Sequence, residues 1–264
     1  MRSGNPALSN STFQGLSKAG RQSTSPAMGG PTIRPFGADG VMTLSGTVNK
    51  TLIMLLLLVA AAFFTWNQAL IQENNALVPI LMIGGFIGGF VVALVTIFKK
   101  EWSPVTAPIY AVLEGLALGG LSSMLDAAYP GIVIQAVGLT FGVLLSLLLV
   151  FRSGLIKVTD NFRMGLVAAT GGIFVVYLAN MVMGFFGTRI PFIHEGGMFG
   201  IGFSLFVVAI AALNLVLDFD FIEQGAAAGA PKYMEWYGSF GLMVTLVWLY
   251  IEILNLLTKL QRRD

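Results

Sequence analysis

The sequence predicts an all-α, polytopic membrane protein, a bundle of seven spanning helices, and three observations predict it. Of 264 residues, 56% are hydrophobic and 11% charged, with a mean hydropathy of +0.81, the composition of a chain whose solvent is hydrocarbon. Apolar runs of roughly 20 residues recur from Leu52 onward, each long enough to cross about 30 Å of hydrocarbon as a helix. The connections between these runs are short and polar. Lipid cannot satisfy a bare backbone, so such runs take the one form that bonds all its own N–H and C=O groups within a single segment.

Residues 1–48 come first and read differently. They are rich in Ser, Gly, Thr and Pro, with Arg2, Lys18, Arg21 and Arg34 opposed by Asp39 alone. Such a segment buries too little apolar surface to order itself, and it lacks the apolar run and small-residue cleavage site of a signal peptide. It is expected to be a disordered tail ahead of a transmembrane domain over 49–264. The spans are expected near 51–71, 77–98, 105–125, 131–151, 164–186, 198–219 and 236–258. Between them lie Glu73-Asn74-Asn75, Lys99-Lys100-Glu101, Asp126 with Pro130, Arg152 to Arg163, Arg189 to Glu195, and Asp220 to Lys232.

Lys and Arg near span ends are retained on the cytoplasmic side. With the N-terminus cytoplasmic, that side collects Arg34, Lys50, Lys99, Lys100, Arg152, Lys157, Arg163 and Lys232, against Arg189, Lys259, Arg262 and Arg263 outside. This balance predicts a cytoplasmic N-terminus and an external C-terminus; a half-inserted seventh segment is the alternative that puts both ends inside. Trp66, Trp102 and Trp236 fall at span ends, where indoles anchor to the interface, whereas Trp248 falls deeper and should pack. Gly84, Gly85, Gly88 and Gly89 form overlapping small-xxx-small pairs that let another backbone approach, and Gly115, Gly119-Gly120 and Gly171-Gly172 should serve the same end.

Composition also excludes chemistry. Without cysteine there is no disulfide, thiolate metal site or cysteine nucleophile, and with His194 as the single histidine there is no histidine metal cluster or Ser-His pair. His194, beside Glu195, reads as a loop residue rather than an external pH sensor. A net charge of +2, dispersed over loops and ends, gives no basis for nucleic-acid binding. No HExxH, nucleophile elbow or phosphate loop is present, and Gly84–Gly89 lies in an apolar helix, the wrong context for phosphate. Glycine-flanked aspartate motifs of intramembrane proteolysis are missing, so an enzyme is not expected and no cofactor is implied.

What remains is a set of acids in oil. An ionisable side chain in a span costs several kcal/mol unless it faces protein or water. Glu114 lies mid-span in the third helix, Asp218 at the end of the sixth and Glu252 within the seventh. In the seventh, Gly238, Gly241, Thr245, Trp248, Glu252 and Asn255 recur at steps of three and four; in the sixth, Gly200, Ser204, Ala211, Asn214 and Asp218 keep that rhythm. Each set forms one stripe. Two such stripes can line an aqueous path with Asn214 and Asn255 as pore-lining polar groups, or can simply make interhelical hydrogen bonds. With no Lys or Arg in the spans to neutralise them, the carboxylates must hold a proton, bind a cation or stay wet. Oxygen ligands of this kind suit a hard cation such as calcium, with Asp218, Glu252 and Glu114 as its candidates. Asp220, Glu223 and Glu235 read as solvated charges at helix ends, or as acids that attract cations to a mouth.

Leu217-Asp218-Phe219-Asp220-Phe221-Ile222, Leu249-Tyr250-Ile251-Glu252-Ile253-Leu254-Asn255-Leu256 and Glu114-Gly115-Leu116-Ala117-Leu118-Gly119 resemble motifs of the Bax inhibitor-1 (TMBIM) family. The extension to Glu223-Gln224-Gly225 resembles a bacterial branch. The resemblance covers about residue 50 to the end. It implies a pH-gated calcium leak in which two aspartates of the last two helices share a proton at the cytoplasmic mouth. Asp218 matches the first; the local motif puts Glu252 in the place of the second. Helix rise opposes that pairing, because Glu252 lies roughly 24 Å along its span, and an ungapped register brings Met243 opposite Asp218. Glu252 then pairs with Glu114 deeper in the bundle, and Asp218, Asp220 and Glu223 form a separate rim.

The expected function is therefore a pH-sensitive calcium leak of the bacterial plasma membrane, with the bilayer and calcium ions or protons as partners. The alternative is a non-conducting regulator that binds other membrane proteins, such as a quality-control protease, through its basic tail.

Overall fold

The computed structural model describes residues 40–71, 76–187 and 197–262. The reading of residues 1–39 as a disordered tail, and those of Glu73-Asn74-Asn75, His194 and Glu195, fall outside the described residues. Among the described residues there are seven α-helices and no strands: α1 (Leu44–Ile71), α2 (Leu77–Phe98), α3 (Ser103–Ala128), α4 (Ile132–Arg152), α5 (Asp160–Phe185), α6 (Met198–Ala227) and α7 (Met234–Gln261). All seven are long and apolar enough to cross a membrane.

Local chemistry sets the helix ends. Lys100–Trp102 makes a 3₁₀ turn before α3, whose first turn takes Pro104, where the missing N–H is harmless. Thr159 caps α5 by accepting from the Phe162 N–H at 3.2 Å. Gly131, at φ +84°, turns the chain from α3 into α4, and its N–H donates to Asp126 at 2.9 Å.

Two boundaries differ from expectation. Helix α1 begins at Leu44, inside the stretch assigned to the tail, and the chain before it is fixed: Val41 bridges Pro231, and the Met42 N–H donates to the Ala230 carbonyl at 2.7 Å. Helix α6 runs to Ala227, so Asp220 and Glu223 are helical rather than loop residues. It ends where Gly229, at φ +64°, lets the Ala228, Gly229 and Ala230 N–H groups bond back to the last turn.

Helix α7 lies at the centre, against α1, α3, α4 and α6; α3 packs between α1 and α2, while α5 packs chiefly on α6. Buried side chains accordingly concentrate in α3, α6 and α7, while α1, α2, α4 and α5 expose long apolar faces. Apolar faces gain little by leaving lipid for protein, so association in a bilayer rests on close packing. Glycines supply it at particular positions. A Cβ on Gly85 would sit 2.5 Å from the Leu113 carbonyl oxygen, and one on Gly115 or Gly119 would strike the α1 backbone at Leu58 or Ala62. Gly84, Gly171 and Gly172 have nothing within 4 Å of that position. These three do not pack helices together, contrary to the spacing-based expectation, because they lie on outward faces.

Helix register defines two faces. Thr43 meets Glu235 at one end of the bundle, and Lys259 meets Gly200 at the other. The seventh helix therefore runs the full thickness rather than half of it. The described ends, residues 40 and 262, lie on opposite faces.

Candidate functional site

The residues that bear chemistry inside the bundle gather where α5, α6 and α7 meet. Helix α5 contributes Arg163, Thr170 and Tyr177, each seven residues apart and so on one face. Arg163 is buried in the first turn of α5 and ion-paired to Asp220 of α6, which also accepts from Gln224 at 2.7 Å. Deeper, the Asn214 amide donates to the Thr170 hydroxyl at 2.9 Å and to the Ile210 carbonyl at 2.8 Å. Asp218, one turn from Asn214 on the same stripe, is 0% exposed. Deeper still, the Tyr177 hydroxyl reaches both oxygens of Glu252, at 2.9 and 3.0 Å, and the Trp248 indole N–H donates to one of them at 3.3 Å. At the far end Lys259, 4% exposed, donates to the Ser204 hydroxyl at 2.7 Å and to the Gly200 carbonyl at 3.2 Å.

These contacts fix relative depth. A Cβ on Gly238 would meet Ile222, while Lys259 reaches Gly200 and Ser204, so α6 and α7 run antiparallel with Glu252 near the level of Val208. Asp218 then lies about ten residues, or about 15 Å, from Glu252 along the axis, nearer the level of Leu242 and Met243. The motif-based pairing of Asp218 with Glu252 is not formed. From Asp220 to Ser204 the column spans about 24 Å of helix rise, most of a bilayer's hydrocarbon thickness.

Glu114 is elsewhere. It is buried on the side of α3 that faces α2, its Oε1 in the space that Gly89 leaves and its Oε2 without a hydrogen-bond partner among the described residues. The proposed Glu252–Glu114 pair is not formed either, because Glu252 turns toward α5 and Glu114 toward α2. Asn255 is exposed on α7, off the column that holds Asn214. Asp218, Asp220 and Glu223 make no common rim: the first is fully buried, the second ion-paired and the third exposed. Calcium prefers six to eight oxygens around one point; Asp218, Glu252 and Glu114 stand at three separate points.

Arg163, in the first turn of α5, and Lys259, in the last turn of α7, stand at helix ends, as expected, yet both are buried. One further correction concerns charge. Glu235 is not solvated. Its side chain is 0% exposed, ion-paired to Lys50 and, at 2.8 Å, to Lys232, and it accepts from the Thr43 N–H and hydroxyl at 2.9 and 2.8 Å. Lys50 also lies 5.5 Å from the Trp236 ring centroid, a cation–π distance. Thr170 and Tyr177 were missed by sequence reasoning; their seven-residue spacing from Arg163 was the available signal.

A family model described as Bax inhibitor 1 like matches residues 5–262. The match extends through most of the N-terminal segment, well ahead of residue 50. No curated protein and no solved structure matches the chain. With seven spanning-length helices and a family match over nearly all of its length, this chain belongs to the Bax inhibitor 1 like family of membrane proteins.

Proposed function

We propose that the protein is a pH-responsive cation leak, for calcium, that resides in the bacterial plasma membrane with its N-terminus cytoplasmic and conducts along the α5–α6–α7 interface. The observation that carries this reading is the column itself, with polar or ionisable side chains at successive depths from Asp220 through Asp218, Asn214 and Glu252 to Lys259. A packed hydrocarbon core has no need of such a column, and each of its charges is costly to keep. Asp218 and Glu252 change charge with protonation, which alters repulsion and cation attraction along the path and biases the packing of α6 on α7. With its carboxylates at separate depths, the column suits passage from site to site. Glu114, on the α2 side, stands outside it, and no step of the reading requires an enzyme.

Calcium efflux from liposomes containing the full chain, measured over a pH series, tests the reading. Asp218→Asn with Glu252→Gln should flatten the pH response, whereas Glu114→Gln should leave it in place. Unchanged, pH-dependent flux in the Asp218→Asn, Glu252→Gln double variant would remove the proposal.

A second reading, a non-conducting regulator of other membrane proteins, is favoured by the anchorage of the N-terminal segment at Val41–Thr43 on the α6–α7 turn and on Glu235. Removal of residues 2–39 leaves that anchor intact. Loss of regulation with flux retained supports the second reading, and the reverse pattern supports the leak.

A further inference from the structure

The α1 and α4 helices flank α7 on either side and, among the described residues, make no extensive contact with each other. Between them is a cleft of about 450 Å³. Its floor is Leu118 of α3 with Met243 and Leu246 of α7, and its lips are Val59 and Phe63 of α1 with Ile134 and Val137 of α4. The lip residues are exposed, so the cleft opens sideways toward whatever surrounds the bundle. One end is polar. There Ser122 and Tyr250 share a hydrogen bond of 2.7 Å, and Asp126 holds the Gly131 N–H beside Trp66.

We infer that this cleft binds one acyl chain of a membrane phospholipid, with the ester end at Ser122 and Tyr250. The surroundings of a spanning bundle at this depth are lipid tails. Apolar walls do not hold water, and an empty cleft forfeits the dispersion contacts of every atom that lines it. A hydrocarbon tail can enter this opening from the side. The volume lies in the range of small-ligand sites, whereas a spanning helix, about 10 Å across and about 30 Å long, occupies several times as much. A helix of a second copy is therefore the poorer fit. The hydroxyl pair uses one proton internally and has the other to offer an ester carbonyl. Because the floor joins α3 to α7, the bound tail sits against the helix that carries Glu252.

The test places the full chain in nanodiscs of phosphatidylcholine bearing a photoreactive diazirine on one acyl chain, followed by irradiation and peptide mapping. Expected is labelling of the floor at Leu118, Met243 and Leu246, which lie behind the lips, and a several-fold loss of that floor labelling in Val59→Trp with Val137→Trp. Phe174→Trp, on the exposed face of α5, should leave it unchanged. Helical circular dichroism and a monodisperse elution profile establish that each variant is folded. Labelling confined to outward helix faces, floor labelling that the lip variants do not reduce, or cross-links joining two copies through α1 and α4 would each overturn the inference.

Discussion

Tyr177 on α5 bonds both carboxylate oxygens of Glu252 on α7, at 2.9 and 3.0 Å, across the interface where α5 otherwise packs on α6. One phenol thereby links the most peripheral of the last three helices to the central one, and it does so at the acid on which conduction is proposed to depend.

Removing that phenol should be felt in stability. Tyr177→Phe leaves Glu252 with the Trp248 indole as its remaining donor among the described residues, and interhelical hydrogen bonds in membranes contribute about 0.6 kcal/mol each, up to nearly 2. A loss of that order in detergent unfolding is expected, and Glu252→Gln in the same background should add less than it does alone. Strictly additive losses would show that the two side chains are not coupled.

Lys259 places a cation at one end of the column, held by Ser204 and Gly200. Fixed positive charge opposes cation passage. Lys259→Gln should therefore raise calcium flux in liposomes several-fold, and a fall in flux would instead assign the lysine a role in keeping the path open.

Helix contact in α2 should be discriminating between adjacent glycines. Gly85→Ala forces its new Cβ against the Leu113 carbonyl and the Ala117 N–H of α3, backbone atoms that cannot turn aside, and should cost about 1–3 kcal/mol. Gly84→Ala meets nothing and should be neutral. Equal melting temperatures for the two variants would contradict the α2–α3 packing.

Glu235 joins the start of α7 to α1 and to the chain before it. Glu235→Ala leaves the partly buried Lys50 without its carboxylate and frees Thr43, which should cost about 1–3 kcal/mol. Limited proteolysis should then cut at residues 40–43 that resist cleavage in the wild type. Lys232→Ala, whose lysine is half exposed, should have a much smaller effect.

How far the site was legible depended on which kind of pattern each residue belonged to. On α6, Gly200, Ser204, Ala211, Asn214 and Asp218 are all buried, as their spacing requires, because residues on one helix share a face whatever lies opposite. On α7 the same rhythm holds for Gly238, Gly241, Thr245 and Glu252 but fails at Asn255, which is exposed on the flank of the helix although Lys259, further along, still reaches α6. Glu252 was found by its position in oil, yet its partner Tyr177 is 75 residues away and looks like any aromatic in an apolar run. Glu235 was misjudged for the same reason: three of its four hydrogen bonds run to Thr43 and Lys50, which the chain brings together only after crossing the membrane six times.

The sequence by itself determined the number of spans, their approximate limits and the presence of carboxylates within them, because hydropathy and helical period are properties of a segment and lipid leaves a segment no other conformation. Tertiary structure alone decided which acid meets which base or hydroxyl, since that depends on the order in which helices pack and on their register. A shift of about ten residues in the antiparallel pairing of α6 and α7 would have set Asp218 beside Glu252. The observed register, fixed by Gly238 against Ile222 at one end and Lys259 against Gly200 at the other, sets them about 15 Å apart.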